Sequence, residues 1–351
     1  MTANPFLGVV LHSIGGLAAG SFYVPYRGVR KWAWESYWLA GGVFSWILAP
    51  WALALLVVPN IGAVLREAPA SSLAWSYAFG AMWGIGGLTY GLTMRYLGMS
   101  LGVAVALGYC AVFGTLMPPI FNGQIVEVVR TLSGITILGG VAVCVAGIAV
   151  SGLAGRSKER ELTEEQRKAT IREFSFVKGL VVATFSGIMS ASMSYGFAAG
   201  KPIAALAVRH GTPELWQNIP VLVVVLAGGF TTNFLWCLGL NIRNRSLGDY
   251  VNGGAPILAN YALCALAGTT WYFQFFFYGM GTTKMGQYDF SSWTLHMATI
   301  IIFGTLWGIV LREWKGTSRR THRLIALGLL VLVSSTLIVG YGNYLGASAT
   351  R

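Results

Sequence analysis

An all-α membrane protein, with ten transmembrane helices arranged as two inverted five-helix repeats, is the fold class this sequence predicts. Three observations predict it. The first is composition: 55% hydrophobic residues, 10% charged residues and a mean hydropathy of +0.63 over 351 residues leave too little polar surface to cover a water-soluble body. The second is run length, since the apolar segments are about 20 residues long, enough for a hydrocarbon core of about 30 Å and unlike the alternating tens of a membrane barrel. The third is a repeat: W-x6-Y-G-x6-G occurs at Trp83, Tyr90, Gly91 and Gly98, and again 188 residues later at Trp271, Tyr278, Gly279 and Gly286. A second, AGG, recurs at Ala40–Gly42 and Ala227–Gly229, an offset of 187.

The spans fall at roughly 5–25, 36–58, 73–93, 100–121, 133–154, 179–199, 217–240, 256–278, 290–311 and 324–345. The first starts without a basic stretch and reads as a membrane helix rather than a cleaved signal. Residues 1–154 form the first repeat, 155–178 a charged linker with seven basic and five acidic residues, and 179–351 the second repeat. Within the linker, Thr163 to Gln166 has the spacing of a capping box. Because each half contains an odd number of spans, the halves lie upside down relative to one another, which in transporters places the site near the midplane between them. The 46 glycines suit close helix packing in a membrane.

The net charge of +12 does not imply a nucleic-acid partner, because the basic residues sit in short links beside a lipid bilayer. Odd-numbered links carry 18 Lys and Arg residues and the other side 6. That bias places odd links in the cytoplasm and both termini in the periplasm. Cys110, Cys144, Cys237 and Cys264 lie inside apolar spans without metal or disulfide spacing and read as small buried hydrophobes. No enzyme, nucleotide, metal or cofactor signature occurs. Transport energy therefore comes from a gradient or a partner.

Ionisable groups inside spans are candidates for function, because burying them in lipid is costly. His12 and His296 are such groups; each is either a hydrogen-bonded packing residue or a proton-handling one. Asp289, Trp293 and His296, spaced i, i+4 and i+7, share one face over about 10 Å if helix 9 begins at Asp289. Asp289 is then either an N-cap or a proton carrier. Trp83 and Tyr90 share a face of helix 3, and Trp271, Gln274 and Tyr278 a face of helix 8. Aromatic rings with an amide suit a sugar, while the tyrosines near span ends also suit an interfacial belt. Lys201 reads as a snorkelling side chain and Glu35 as a surface charge.

Several stretches carry a resemblance: AMWGIGGLTYGLTMRYLGMSLG (81–102), GTLMPPIFNG (114–123), AAGKP (198–202), WYFQFFFYG (271–279), QYDFSSWTLHM (287–297) and LREW (311–314). With these the chain resembles the bacterial L-rhamnose-proton symporters, a branch of the drug/metabolite transporter superfamily. The resemblance implies sugar uptake across the inner membrane, coupled to protons. On the reading of the residues themselves, substrate would then be held by His12, Trp83, Tyr90, Trp271, Gln274, Trp293 and His296. Proton coupling would fall to Asp289 and His296. The chain departs from the family pattern at Gly87, where Asn is usual, and at Pro118-Pro119, where Thr-Pro is usual. The first departure keeps open an exporter or facilitator of another small metabolite on the same fold.

Overall fold

The computed structural model describes residues 3–97, 99–161, 175–251, 254–312 and 314–349. Among them there are helices and turns and no strands. The long helices are α1 (Pro5–Tyr26), α2 (Trp34–Val57), α4 (Ala70–Leu97), α5 (Met99–Phe121), α7 (Leu132–Arg160), α8 (Phe176–Ala199), α10 (Ile219–Asn244), α11 (Ile257–Thr282), α12 (Ser292–Val310) and α13 (Arg319–Ala349). Short helices α3 (Ile61–Glu67), α6 (Ile125–Arg130) and α9 (Lys201–Arg209) lie between them. In the described residues eight helices are long and apolar enough to cross a membrane: α1, α2, α5, α7, α8, α10, α12 and α13. Both α4, 28 residues long, and α11, 26 residues long, contain Gly, Thr and aromatic residues in place of aliphatic ones, which lowers their hydropathy.

Sequence chemistry explains the local departures from plain helix. Pro50 has no N–H to donate back to Trp46, and immediately before it Phe44–Leu48 widens into a π-helix. That widening turns Trp46 into the core, where it is 3% exposed. Pro118 likewise frees the Gly114 carbonyl inside α5, and Ser194 of α8 donates its hydroxyl to it at 2.8 Å. In lipid such a freed carbonyl must find a partner within the protein. The α7 and α13 helices run past the predicted span ends, to Arg160 and back to Arg319. Polar residues outside the hydrocarbon can prolong a helix without being buried.

Packing pairs α1 with α11 and α12, and α8 with α4 and α5. It also pairs α2 with α11 and α10 with α4, α5 with α7 and α12 with α13. The AGG glycines are close-approach points: a Cβ on Gly268 of α11 would strike the Gly41 backbone, and one on Gly228 would strike Tyr77 of α4. Large apolar side chains such as Leu55, Leu56, Leu235 and Leu337 stay exposed around the outside, as a lipid-facing belt requires. All four cysteines are buried and free.

The N-terminus, the C-terminal end and the even-numbered links meet at one end of the bundle. The Asn4 N–H donates to the Lys284 carbonyl, Asn343 Nδ2 donates to Ser291 Oγ, and Lys201 pairs with Asp289. Odd-numbered links meet at the other end. The Thr163–Gln166 capping box and most of the charged linker lie outside the described residues.

Candidate functional site

A cavity of about 350 Å³ opens at the even-link end between α5, α8, α9, α11 and the turn before α12. Its wall is polar: Asn122, Gln124, Ser194, Gln217, Asn218, Thr282 and Thr283 contribute amides and hydroxyls, and Lys201 and Asp289 contribute charge. Asn218 fixes the wall by donating from Nδ2 to the Gly279 carbonyl at 2.8 Å and to Thr282 Oγ1 at 3.0 Å. Closely spaced neutral donors and acceptors suit a hydroxylated small molecule.

Tyr278 of α11 forms the floor of this cavity and is only 4% exposed. On its protein side it meets His12 of α1 at 5.4 Å between ring centroids and His296 of α12 at 5.2 Å. Phe197, Phe275 and Trp293 surround it at 5.0, 6.3 and 5.7 Å. Both histidines are fully buried, and none of their four ring nitrogens has a hydrogen-bond partner. The reading of them as hydrogen-bonded packing residues therefore fails among the described residues. Such an orphaned polar atom costs about 1–3 kcal/mol. Glycine makes the arrangement possible, since a Cβ on Gly281 would occupy the His12 ring position.

Trp293 lies beside them with its indole Nε1 donating to the Cys110 carbonyl at 3.0 Å, so its polar edge is already used. Gly114 of α5 leaves room for that ring. Beneath Tyr278, toward the middle of the bundle, Trp83 and Trp271 touch at 5.4 Å, and Trp46 packs edge-on to both at 6.1 and 5.7 Å. These three rings contact one another. Gln274 is 5% exposed, and its amide makes no hydrogen bond among the described residues. Tyr90 lies elsewhere, in a separate cluster with Leu97, Ala106 and Ala183. Gly87 is exposed with open space around it and does not line the cavity.

The shared face expected for Asp289, Trp293 and His296 is broken. A 3-10 turn, Gly286–Ser291, precedes α12, and Tyr288 within it has a non-helical backbone. Gly286 enters that turn at φ +74°, a conformation open to glycine. Trp293 and His296 remain neighbours at 5.9 Å, while Asp289 swings to the cavity and pairs with Lys201 at 2.8 Å. Asp289 therefore does not cap α12, whose N-cap is Ser291. Among the described residues no three His, Cys, Asp or Glu side chains are placed to hold a metal.

The odd-link end is closed by polar contacts of residues 30–36 with residues 241–260. Glu35 is 5% exposed, and its Oε1 accepts from Asn244 Nδ2 at 2.9 Å and from Ser246 Oγ at 2.8 Å. This corrects the surface-charge reading of Glu35. The Ala33 N–H donates to Asp249 at 2.8 Å, and Asn260 exchanges two hydrogen bonds with the Arg30 backbone. Sequence reasoning gave Lys201 and Glu35 other roles, a snorkelling side chain and a surface charge, and it passed over Trp46 and the amides at 217 and 218. Only the Pro50 two residues past an apolar Trp-Ile-Leu run signalled one of them, Trp46.

The family model described as L-rhamnose-proton symport protein (RhaT) matches residues 1–345. Proteins named L-rhamnose-proton symporter from Cronobacter sakazakii, Klebsiella pneumoniae and Escherichia coli are each 40% identical over 340 residues, covering 96% of this chain and 97% of the relative.

Proposed function

The chain belongs to the L-rhamnose-proton symport protein family, and from that premise we propose that it imports L-rhamnose together with protons across the bacterial inner membrane. It is a transporter and not an enzyme. Our reading places it in the drug/metabolite transporter superfamily, with ten spans in two inverted repeats, 1–154 and 179–351, joined by the charged segment 155–178. Support comes from the packing. Exchanging α1 with α8, α2 with α10, α4 with α11, α5 with α12 and α7 with α13 maps the main pairings onto one another: α1–α11 and α1–α12 onto α8–α4 and α8–α5, α2–α11 onto α10–α4, and α5–α7 onto α12–α13. Trp83 and Trp271, the repeat-related residues, touch one another. The 18 to 6 distribution of basic residues makes the cavity periplasmic, with both termini on the same side.

One observation carries the functional reading: a polar cavity opens at the end away from the basic links and is floored by Tyr278 over the two buried histidines. L-Rhamnose enters there and bonds its hydroxyls to the amides of Gln217, Asn218 and Asn122. Its apolar face lies on Tyr278. In this state the Glu35 contacts close the cytoplasmic end. Rocking of the repeats then opens that end, and the sugar passes His12, Gln274, His296 and the ring faces of Trp83, Trp271 and Trp293 on the way. Tyr90 would act only in the inward-facing state. Asp289 and His296 are the two proton-carrier candidates, on different sides of Tyr278.

A neutral sugar brings no charge, so symport moves positive charge inward. In proteoliposomes at zero potential, added L-rhamnose should alkalinise the outside medium. No alkalinisation, with L-rhamnose still exchanged, would make the protein a facilitator. A thermal-shift panel of neutral sugars tests specificity, because the true ligand stabilises by mass action.

A further inference from the structure

Resting on the reading of this chain as a proton-coupled sugar carrier, we propose that the coupling proton binds to the His12–Tyr278–His296 group. Tyr278 is the side chain that separates the histidines from the cavity, and Asp289 is not the carrier.

Three helices converge on this group. His12 comes from α1, Tyr278 from α11 and His296 from α12, and these three helices pack on one another. Both imidazoles are enclosed, and all four of their ring nitrogens are unpartnered. Each ring has an N–H to donate and a lone pair to offer. An apolar side chain of similar shape would fill the same space at less cost, so two polar rings there call for a state in which their nitrogens are used. The surroundings favour a cation: ring faces of Tyr278, Phe275 and Trp293 lie within 6 Å of His296, and that of Tyr278 within 6 Å of His12. Aromatic faces attract a positive charge at that range.

The ionisable groups facing the site are few. The three members face one another, and Asp289 lines the same cavity as Tyr278. The Lys284 side chain lies against Gly8, one turn before His12. Asp289 already has a partner, Lys201 at 2.8 Å, and the pair is partly exposed, so it is a clasp across the cavity mouth. Tyr278 alone belongs to both the cavity wall and the histidine group. When a sugar displaces the Tyr278 ring, cavity water reaches an imidazole lone pair. A new N–H bond forms there, and the water network in the cavity gives up the proton. On the inward-facing side the same bond breaks, and the proton leaves with the sugar.

The test measures two quantities on the full chain in proteoliposomes: L-rhamnose-driven alkalinisation, and L-rhamnose counterflow at equal pH, which needs no net proton movement. Wild-type alkalinisation comes first, and its absence counts against symport itself rather than against the assignment. Given that signal, the alkalinisation per sugar exchanged should fall in His12→Gln and His296→Gln and vanish in the double variant, whatever their counterflow rate, while in Asp289→Asn that ratio stays at the wild-type value. Full alkalinisation per sugar in the double variant overturns the proposal. So does loss of alkalinisation in Asp289→Asn with counterflow intact. If the Gln variants lose counterflow, His12→Asn and His296→Asn are measured. Loss of counterflow there too assigns the histidines to holding sugar or structure and overturns the proton role.

Discussion

The two copies of W-x6-Y-G-x6-G are built on the same frame and do different things. Their tryptophans, Trp83 and Trp271, meet at 5.4 Å near the middle of the bundle, and Trp46 closes over both. Their tyrosines part company. Tyr90 packs among Leu97, Ala106 and Ala183, with no histidine beside it. Tyr278 stands between two buried histidines and a polar cavity. The first copy leads into α5, whose buried positions among the described residues include Ala106, Cys110, Ala111 and Thr115. The second leads through a 3-10 turn carrying Asp289 into a helix carrying His296. On the proposed inverted-repeat reading, both halves need the packing glycines and tryptophans, whereas one coupling site per transport cycle is enough.

Replacing the tryptophans should break the symmetric part of this comparison with the largest effect. Trp271→Ala removes a ring that is 8% exposed and touches Trp46, Trp83 and Phe275, and should cost about 3–5 kcal/mol. Trp83 is less buried, and Trp83→Ala should cost less. Thermal unfolding in detergent compares them, and equal losses would remove the distinction.

The closed end gives the next effect. Glu35→Ala removes two hydrogen bonds, but Ser246 keeps Asn241 Oδ1 as acceptor and the exposed Asn244 amide turns to water, so the cost is about 1 kcal/mol and the closure at the odd-link end weakens. A cysteine placed at Trp38 should then react faster with a membrane-impermeant thiol reagent added from the side of the odd-numbered links, the cytoplasmic one in the proposed orientation. An unchanged rate would separate Glu35 from gating.

Smaller still is the contrast between the glycines after each tyrosine. A Cβ on Gly91 meets nothing within 4 Å, while one on Gly279 comes to 3.1 Å from the Asn218 Cβ in the cavity wall. Gly91→Ala should leave L-rhamnose affinity unchanged, and Gly279→Ala should weaken it.

The smallest effect is a pH dependence far from both copies. Glu161 accepts hydrogen bonds from the Ser318 N–H and hydroxyl and from Thr321 at the start of α13, and these hold its carboxyl below its ordinary value. A lowered folded pKa means that its stabilisation is present above the unfolded value of about 4.3 and is lost as pH falls through the folded one. The melting difference between wild type and Glu161→Gln should therefore shrink as the medium is acidified below that range.

The frame was legible in the sequence because it is local. Apolar runs mark helices, AGG marks the close approaches, and isolated histidines in apolar runs mark groups that lipid would not tolerate. What stayed hidden depends on contacts far apart in the chain. Lys201 and Asp289 meet across 88 residues, and Glu35 meets Asn244 across 209. Neither partner shows its pairing locally. The i, i+4, i+7 argument for Asp289 assumed a helix that a 3-10 turn replaces, and Gly286 was its only local sign.

The most direct test of the asymmetry is the proton-to-sugar flux ratio in proteoliposomes bearing Tyr90→Phe or Tyr278→Phe. Both substitutions keep the ring and remove one hydroxyl. Our account predicts an unchanged ratio for Tyr90→Phe and a reduced one for Tyr278→Phe. A reduced ratio for Tyr90→Phe with Tyr278→Phe unaffected would contradict it.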